Sequence, residues 1–203
     1  LNSPEFVKHA MVLLTGFASP IYELAGVNSA VVSLVGVSGA GKTLAAQFAL
    51  SIYGNPQLLG QNSTATANSI EVQLSANRHV PYLLDEVTNY PQAKLADFLY
   101  LAANGQGKSS LTRSREFRKA GMWKLTPYIT SNHPILDIGQ EYIQEAHRRR
   151  LIELYFPDPM DKDAAAEVYN AIKEASGSAG VVYLQELCRI RGKIPGLFSA
   201  ALD

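Results

Sequence analysis

The chain has 203 residues, of which 47% are hydrophobic and 18% are charged, a composition that is ordinary for a single globular domain, alone or with a small appendage. Lysine and arginine balance the acidic residues at 18 each, so the molecule as a whole has no field that would attract a polyanion. The one cysteine, Cys188, cannot form an internal disulfide, and no apolar run approaches membrane-spanning length. We therefore expect a cytoplasmic protein without membrane contact.

The first predicted elements are two short helices on either side of Pro20. Apolar residues recur at helical spacing from Phe6 to Phe17, and a second apolar group follows from Ile21 to Ala25. Proline separates them because it lacks a backbone N–H and its ring clashes with the preceding turn. We expect residues 1–28 to form a helical segment that packs on the domain that follows.

A phosphate-binding loop is the strongest pattern in the chain. The apolar strand Val31–Val35 leads into a turn with the spacing Gly-x-x-x-x-Gly-Lys-Thr and then into a helix predicted over Leu44–Tyr53. Glycine allows the close approaches of such a loop, and the N–H groups converge with the positive helix end on an anion. We predict that a nucleoside triphosphate binds here, with Lys42 on its β- and γ-phosphates and Thr43 on Mg²⁺. The predicted contact residues are Gly36, Val37, Ser38, Gly39, Ala40, Gly41, Lys42, Thr43 and Leu44.

The second informative stretch is an apolar strand, starting at Val80, that ends in the carboxylates of Asp85 and Glu86. It follows a polar segment in which we predict a helix over Ala67–Leu74. A phosphate-loop hydrolase needs an aspartate to orient its Mg²⁺ and a second acid to polarise the attacking water. We assign the metal role to Asp85 and the general-base role to Glu86. The alternative is an acidic pair that merely ends a strand.

A basic excursion follows a helix predicted over Pro91–Ala103. Between Gln106 and Lys124 there are six basic residues and one acid, with glycines at likely bends, a pattern typical of a hairpin that projects from the sheet. Positive charge gathered in one excursion indicates contact with a phosphate backbone, although a solvated basic loop is the alternative. The candidate nucleic-acid contacts are Lys108, Arg113, Arg115, Arg118 and Lys119.

The next predicted strand, Lys124–Asn132, ends in a polar tip. Asn132 is placed to hydrogen-bond the γ-phosphate or the attacking water, unless it is simply a turn residue. A helix is predicted over Gly139–His147, followed by three arginines and the last apolar strand, Leu151–Phe156.

Arginines before the last strand suit a catalytic contact with the nucleotide of a neighbouring subunit. The sequence does not single out one of Arg148, Arg149 and Arg150, and we take Arg149 and Arg150 as the candidates. The alternative is that they only meet the negative end of a helix. Two further helices are predicted, over Lys162–Ala175 and Val181–Arg191. We divide the chain into the N-terminal segment, an ATPase core over 29–158, and a helical lid or linker over 159–203.

This order of motifs resembles the AAA+ ATPases, specifically the superfamily III helicases. Within these it is most similar to the helicase-like family called domain of unknown function 927, found in phage and mobile-element replication proteins. The residues that carry the resemblance are Phe17–Pro20, Gly36–Thr43, Ser51–Pro56, Thr66–Ile70, Leu84–Glu86 and Leu99–Lys108. The chain departs from the familiar tip Ser-Thr-Gly-Glu, since it has Thr130-Ser131-Asn132-His133, although asparagine is the usual sensor in superfamily III.

The resemblance implies an α/β fold of the AAA+ P-loop type, with a central, mostly parallel five-stranded sheet, an inserted β-hairpin and a small helical C-terminal part. It also implies a hexameric ring that holds ATP and Mg²⁺ between subunits and grips single-stranded DNA with its hairpins. The implied function is a replicative helicase motor in a bacterial host, attached to a primase or primase-polymerase. An AAA+ initiator or loader that oligomerises on ATP without translocating is the alternative, and Glu86 and the hairpin argue against a phosphate-loop kinase.

Overall fold

A computed structural model describes residues 6–107, 110–111, 117–118, 120–138, 142–143 and 145–201. Seven strands are present, namely β1 Val31–Gly36, β2 Gly60–Asn62, β3 Tyr82–Asp85, β4 Ser110–Leu111, β5 Phe117–Arg118, β6 Pro127–Ser131 and β7 Leu151–Phe156. The α-helices are α1 Val7–Ala18, α2 Ile21–Ala25, α3 Lys42–Ser51, α4 Ala67–Asn77, α5 Gln92–Asn104, α6 Ile135–Ile138, α7 Glu145–Arg148, α8 Lys162–Ala175, α9 Ser178–Ile190 and α10 Ile194–Ala200. None of these described helices has the length and apolar character needed to cross a lipid bilayer.

Five strands form one sheet in the order β2-β3-β6-β1-β7, and every neighbouring pair is parallel. The predicted α/β fold with a five-stranded sheet is therefore confirmed. Strands β1 and β6 are buried almost throughout, as expected for central parallel strands covered on both faces. Because the strands are parallel, the residues that follow them meet at one edge, the usual position of a ligand site in open α/β sheets.

The register of the central strands sets what meets at each edge. Val35 lies opposite Ser131 on β6, and Gly36 lies opposite Phe156 on β7. The phosphate loop therefore starts beside the residue that follows Ser131. At the amino-terminal ends of the same strands, Val31 lies opposite Leu151. The arginines that precede β7 therefore lie at the end of the sheet opposite to the phosphate loop.

Two hydrophobic clusters cover the two faces of the sheet. One is built from α4 and α5, which pack buried side chains such as Leu74 and Phe98 against β3 and Trp123. The other is built from α1 and α3, whose Val12 and Leu50 pack against β1 and Tyr128. The elements that carry the phosphate loop and the acidic pair are thus held by packing on both sides.

Side-chain hydroxyls hold α1 in place by donating hydrogen bonds to its backbone carbonyls. The donors come from the sheet, from the end of α3 and from α9, and the bonds measure 2.7 to 3.1 Å. They run from Tyr128 to Val12, from Thr126 to Thr15, from Tyr53 to Gly16 and from Tyr183 to Phe17. We call this set of bonds the α1 clamp.

The predicted hairpin is present. Strands β4 and β5 pair antiparallel, with Ser110 opposite Arg118, and a bridge between Gln106 and Met122 closes the base of the excursion. The predicted C-terminal helices are also present as α8 and α9, and α10 follows them without having been predicted.

Two local features differ from what the sequence led us to expect. Of the helix predicted over Gly139–His147, the described residues are helical only in α7, and Ile143 lies outside a helix with its side chain buried in the core cluster. Strand β2 was not predicted because its sequence is polar. It pairs with β3 at the sheet edge, where a Cβ on Gly60 would lie 2.7 Å from the carbonyl oxygen of Leu83.

Candidate active site

The predicted phosphate loop lies between the end of β1 and the first turn of α3, which starts at Lys42. Two of its glycines are needed, Gly36 because a Cβ would meet the backbone and Gly41 because of its left-handed backbone conformation. At Gly36 it would lie 2.0 Å from the carbonyl oxygen of Phe156, and at Gly41, where φ is +78°, it would lie 2.6 Å from the sulfur of Met160. The loop thus turns tightly and starts a helix at the sheet edge, the arrangement that binds phosphate groups.

Lys42 is buried, with 7% of its surface exposed, and its ammonium group is fully engaged. It donates hydrogen bonds of 2.7 Å and 2.8 Å to the carbonyls of Gly36 and Val37, and one of 3.1 Å to the side-chain oxygen of Asn132. Burial lowers the pKa of Lys42, while the nearby charges of Glu86 and Asp85 oppose that shift. The structure therefore brings the predicted lysine, asparagine and acidic pair together.

Asp85 accepts hydrogen bonds from two hydroxyl groups at one carboxylate oxygen. Thr43 donates over 2.9 Å from the phosphate loop, and Thr130 donates over 2.6 Å from β6. A hydroxyl and a carboxylate oxygen side by side are hard ligands of the kind that Mg²⁺ prefers. Thr43 and Asp85 are thus the residues of this chain that fit a metal ion beside bound phosphates.

Glu86 has a left-handed backbone conformation, with φ at +58°, which is uncommon for a residue other than glycine. Its N–H donates a 2.8 Å hydrogen bond to the hydroxyl of Thr130, which holds this turn against β6. The side chain is exposed at the sheet edge. Backbone outliers of this kind cluster at functional sites, where the surrounding bonds offset their energetic cost.

Two hydroxyl residues of this site were not singled out from the sequence. Thr130 links Asp85 to the backbone of Glu86, and Thr88 accepts a 3.0 Å hydrogen bond from the N–H of Asn132. The sequence feature that could have identified Thr130 is a hydroxyl residue in an otherwise apolar strand, because a buried hydroxyl group needs a hydrogen-bond partner. These bonds tie the end of β6 to the loop after β3.

The segment after β7 crosses the phosphate loop. The N–H of Met160 donates a 2.9 Å hydrogen bond to the carbonyl of Gly39. On the same side of the loop lies His9 from the first turn of α1, with its Nε2 atom 3.2 Å from the position of a Cβ on Gly41. Neither residue was predicted to lie at the site.

The predicted catalytic arginines lie away from this chain's own phosphate loop, at the opposite edge of the sheet. Arg149 is exposed and forms a 3.3 Å ion pair with Glu145, and the guanidinium of Arg150 lies 5.8 Å from the ring centroid of Tyr100. Arg148 is exposed and has no ion pair or ring contact among the described residues.

The predicted nucleic-acid contacts fall largely outside the described residues. Lys108, Arg113, Arg115 and Lys119 lie outside them, and Arg118 is described only as part of β5. The excursion itself leaves the sheet after Gly107, beside α4, where a Cβ on Gly107 would lie 2.3 Å from a carboxylate oxygen of Glu71.

Comparison with known proteins gives a family and a fold. A family model described as "Domain of unknown function (DUF927)" matches residues 5–123, more than half of the chain. A solved structure named "SCCmec type IV Cch - active helicase" superposes with a TM-score of 0.74 at 22% sequence identity, and covers 96% of this chain and 37% of that chain. This likeness shows the fold, and this chain spans little more than a third of that protein.

A second solved structure, of the JCV helicase with a bound substituted acetamide, has a TM-score of 0.45 at 11% sequence identity. It covers 100% of this chain and 63% of that chain. No curated protein sequence matches the chain significantly.

Proposed function

This chain belongs to the DUF927 family, and we propose that it is an ATP-hydrolysing motor of the helicase type that moves along single-stranded DNA. The observation that supports hydrolysis is the meeting of Lys42, Thr43, Asp85, Glu86 and Asn132 at one sheet edge, with direct hydrogen bonds joining four of them. Each has a separate task there. Bound Mg²⁺ would neutralise charge on the β- and γ-phosphates.

The proposed roles follow from position. Lys42 offers its ammonium to the phosphates, while Thr43 and Asp85 hold the metal ion. Glu86 lies outside this hydroxyl–carboxylate pair, so its carboxylate is free to accept a proton from the attacking water. Asn132 shares the ammonium of Lys42 and can orient that water or contact the γ-phosphate. Because Glu86 is positioned to activate a water molecule, we infer hydrolysis rather than transfer of the phosphoryl group to a small molecule.

Assembly into a ring is proposed because the arginines cannot serve the site of their own chain. They precede β7 while the phosphate loop follows β1, and these two strands are parallel neighbours. Six residues of strand span about 17 Å. In a ring, Arg149 and Arg150 would instead approach the nucleotide of the adjacent subunit, where they stabilise charge in the transition state. We propose a hexamer.

Movement on DNA is assigned to the basic hairpin, which leaves the sheet between α5 and β6. Its positive charge suits contact with phosphate groups, and its position directly before β6 would couple it to Asn132 at the end of that strand. We further propose that the motor serves replication of a phage or mobile element in the cytoplasm of a bacterial host. Association with a primase or primase-polymerase belongs to the same proposal.

The decisive experiment measures ATP hydrolysis with and without single-stranded DNA, together with strand unwinding. Lys42→Ala should abolish hydrolysis, and an unchanged rate would contradict the nucleotide site. Lys108→Ala combined with Arg113→Ala should remove DNA stimulation and unwinding while basal hydrolysis persists. The matched control, Lys162→Ala with Lys173→Ala, removes two exposed charges from α8 and should change neither. Unaffected stimulation and unwinding in the hairpin variant would favour an ATP-dependent switch that does not translocate.

A further inference from the structure

His9 lies at the junction of α1, the phosphate loop and the segment after β7. Its ring meets the ring of Phe156 edge-on at a centroid distance of 4.9 Å, and that of Phe6 at 5.6 Å. Its Nε2 atom is directed at the loop beside Gly41. The imidazole is therefore held in an aromatic setting next to the place where phosphates bind.

Both ring nitrogens of His9 are shielded from solvent and make no hydrogen bond among the described residues. The backbone of Ala40 is close enough to favour a charged ring but does not meet hydrogen-bond geometry. Burial lowers the pKa of His9, so the ring is neutral at pH 7 and carries one donor and one acceptor. Buried polar groups in native proteins normally have partners, so this unpaired donor–acceptor pair needs an explanation.

Cavities flank the ring on two sides. One of about 300 Å³ lies between α3 and α8, and one of about 340 Å³ lies beneath the segment after β7. Both are lined by Phe6, His9 and Met160, and the first is also lined by Leu44. Mostly apolar walls with a few polar groups are typical of small-molecule sites of this size.

The position of these cavities next to the phosphate loop indicates which part of a bound nucleotide they would hold. Leu44 follows Thr43 in the first turn of α3, so the first cavity starts where the phosphate-binding residues end. A group joined to the phosphates would enter it. Met160, a flexible side chain, lines this space and lies next to the Nε2 atom of His9 beside Gly41.

We propose that His9 recognises the nucleobase of the bound triphosphate, with its ring nitrogens hydrogen-bonding to the edge of the base after the side chain of Met160 moves aside. This inference rests on the proposed function, since it assigns a specificity-determining residue to the same site. A nucleobase is a planar ring whose edge carries donors and acceptors, which is the complement that the unpaired imidazole lacks.

The test compares ATP with tripolyphosphate, which has the phosphates but no base, by isothermal titration calorimetry. His9→Phe keeps a ring between Phe6 and Phe156 but removes both nitrogens. It should bind ATP about tenfold more weakly, as expected for lost hydrogen bonds, and bind tripolyphosphate like the unmodified protein. His9→Gln restores a donor and an acceptor and should recover most of the affinity for ATP. Met11→Ala, on the exposed side of α1, is the matched control and should change neither.

Two results would overturn the proposal. Equal ATP affinity in His9→Phe and the unmodified protein would show that the base does not depend on His9. An equal loss of affinity for ATP and for tripolyphosphate in both His9 variants would show that His9 only shapes the loop. Failure of the proposed function is a different result, namely ATP binding that Lys42→Ala leaves unchanged. If His9→Phe does not fold, as judged by its thermal unfolding, His9→Leu, which also lacks both ring nitrogens, takes its place in the comparison with Met11→Ala and should show the same selective loss of ATP affinity.

Discussion

The ammonium group of Lys42 donates a 3.1 Å hydrogen bond to the side-chain oxygen of Asn132, a residue that lies 90 positions further along the chain. The other two donors of Lys42 are held by loop carbonyls, so Asn132 provides its one side-chain partner. A phosphate that approaches the ammonium therefore competes with Asn132. Binding of a phosphate would therefore release or shift the side chain of Asn132, which directly follows β6.

Replacing Asn132 with alanine tests this coupling. Asn132→Ala should lower kcat for ATP hydrolysis about a hundredfold, because one preorganised polar group is lost from the transition state. The affinity for ATP should change little, since Lys42 and the loop are retained. Steady-state hydrolysis and equilibrium binding separate the two effects. His133→Ala, at the adjacent exposed position, is the control, and a normal kcat for Asn132→Ala would contradict the assignment.

Thr130 is expected to matter for both stability and turnover, since its hydroxyl joins Asp85 to the backbone of Glu86. Thr130→Val keeps the shape of the side chain but leaves the N–H of Glu86 unpaired and removes one of the two hydroxyl donors to Asp85. It should reduce the free energy of unfolding by about 1–3 kcal/mol and slow hydrolysis. Urea unfolding and an ATPase assay measure the two quantities. Thr130→Ser keeps the hydroxyl and should stay close to the unmodified protein, so equal losses in both variants would point to packing instead.

The arginines can be tested by mixing variants. Arg149→Ala and Arg150→Ala should each slow hydrolysis, by about a thousandfold if that residue is the one that stabilises the transition state. Adding Lys42→Ala subunits should restore activity, because these subunits bring intact arginines to intact phosphate loops of their neighbours. Arg148→Ala belongs in the same series, since Arg148 is exposed and unpaired among the described residues.

Recovery in the mixed assembly is the critical observation. A mixture that stays inactive, although native mass spectrometry shows that mixed rings form, would remove the arginines from catalysis in trans.

We predict that the free energy of unfolding depends on pH through the carboxyl group of Glu153. Its carboxylate accepts a 2.7 Å hydrogen bond from the N–H of Ile135, and burial raises its pKa above the usual 4.5. The folded chain thus holds this proton more tightly than the unfolded chain. The ionised form therefore lowers stability as pH rises above 4.5 and through the raised pKa.

Glu153→Gln keeps the acceptor oxygen and removes the charge. At pH 7.5 it should be more stable than the unmodified protein, by less than about 1 kcal/mol because the carboxylate is only partly buried. Near pH 4 the difference should disappear. Thermal unfolding across this range measures it, and a variant that is less stable at pH 7.5 would show that the charge is stabilising.

The predicted site residues that the structure brings together are those whose pattern is local in the sequence. The phosphate loop is a continuous run from Gly36 to Thr43, and the acidic pair directly follows an apolar strand. Their alignment at one edge then follows from parallel pairing, which the apolar strands already indicate. The hairpin was predictable for a similar reason, because its change in composition lies within one short stretch.

The parts that were missed depend on distant residues. Strand β2 has polar residues and no alternation, so its place beside β3 depends on close backbone contact at Gly60 rather than on side-chain pattern. His9 lies near Gly41 because α1 packs across one face of the sheet. A single histidine in a helical pattern does not indicate which distant loop it will contact. For Ile143, burial outweighed local helix propensity.

The α1 clamp has a practical consequence for anyone who shortens this protein. A version that starts just before β1 would look like a complete phosphate-loop domain in a sequence alignment. It would nevertheless leave the hydroxyls of Tyr128 and Thr126 without their acceptors, and it would expose the hydrophobic cluster that α1 covers on one face of the sheet. Expression trials should therefore keep the chain from Phe6 onward, and insoluble product from shorter versions would reflect a damaged interior rather than a missing partner.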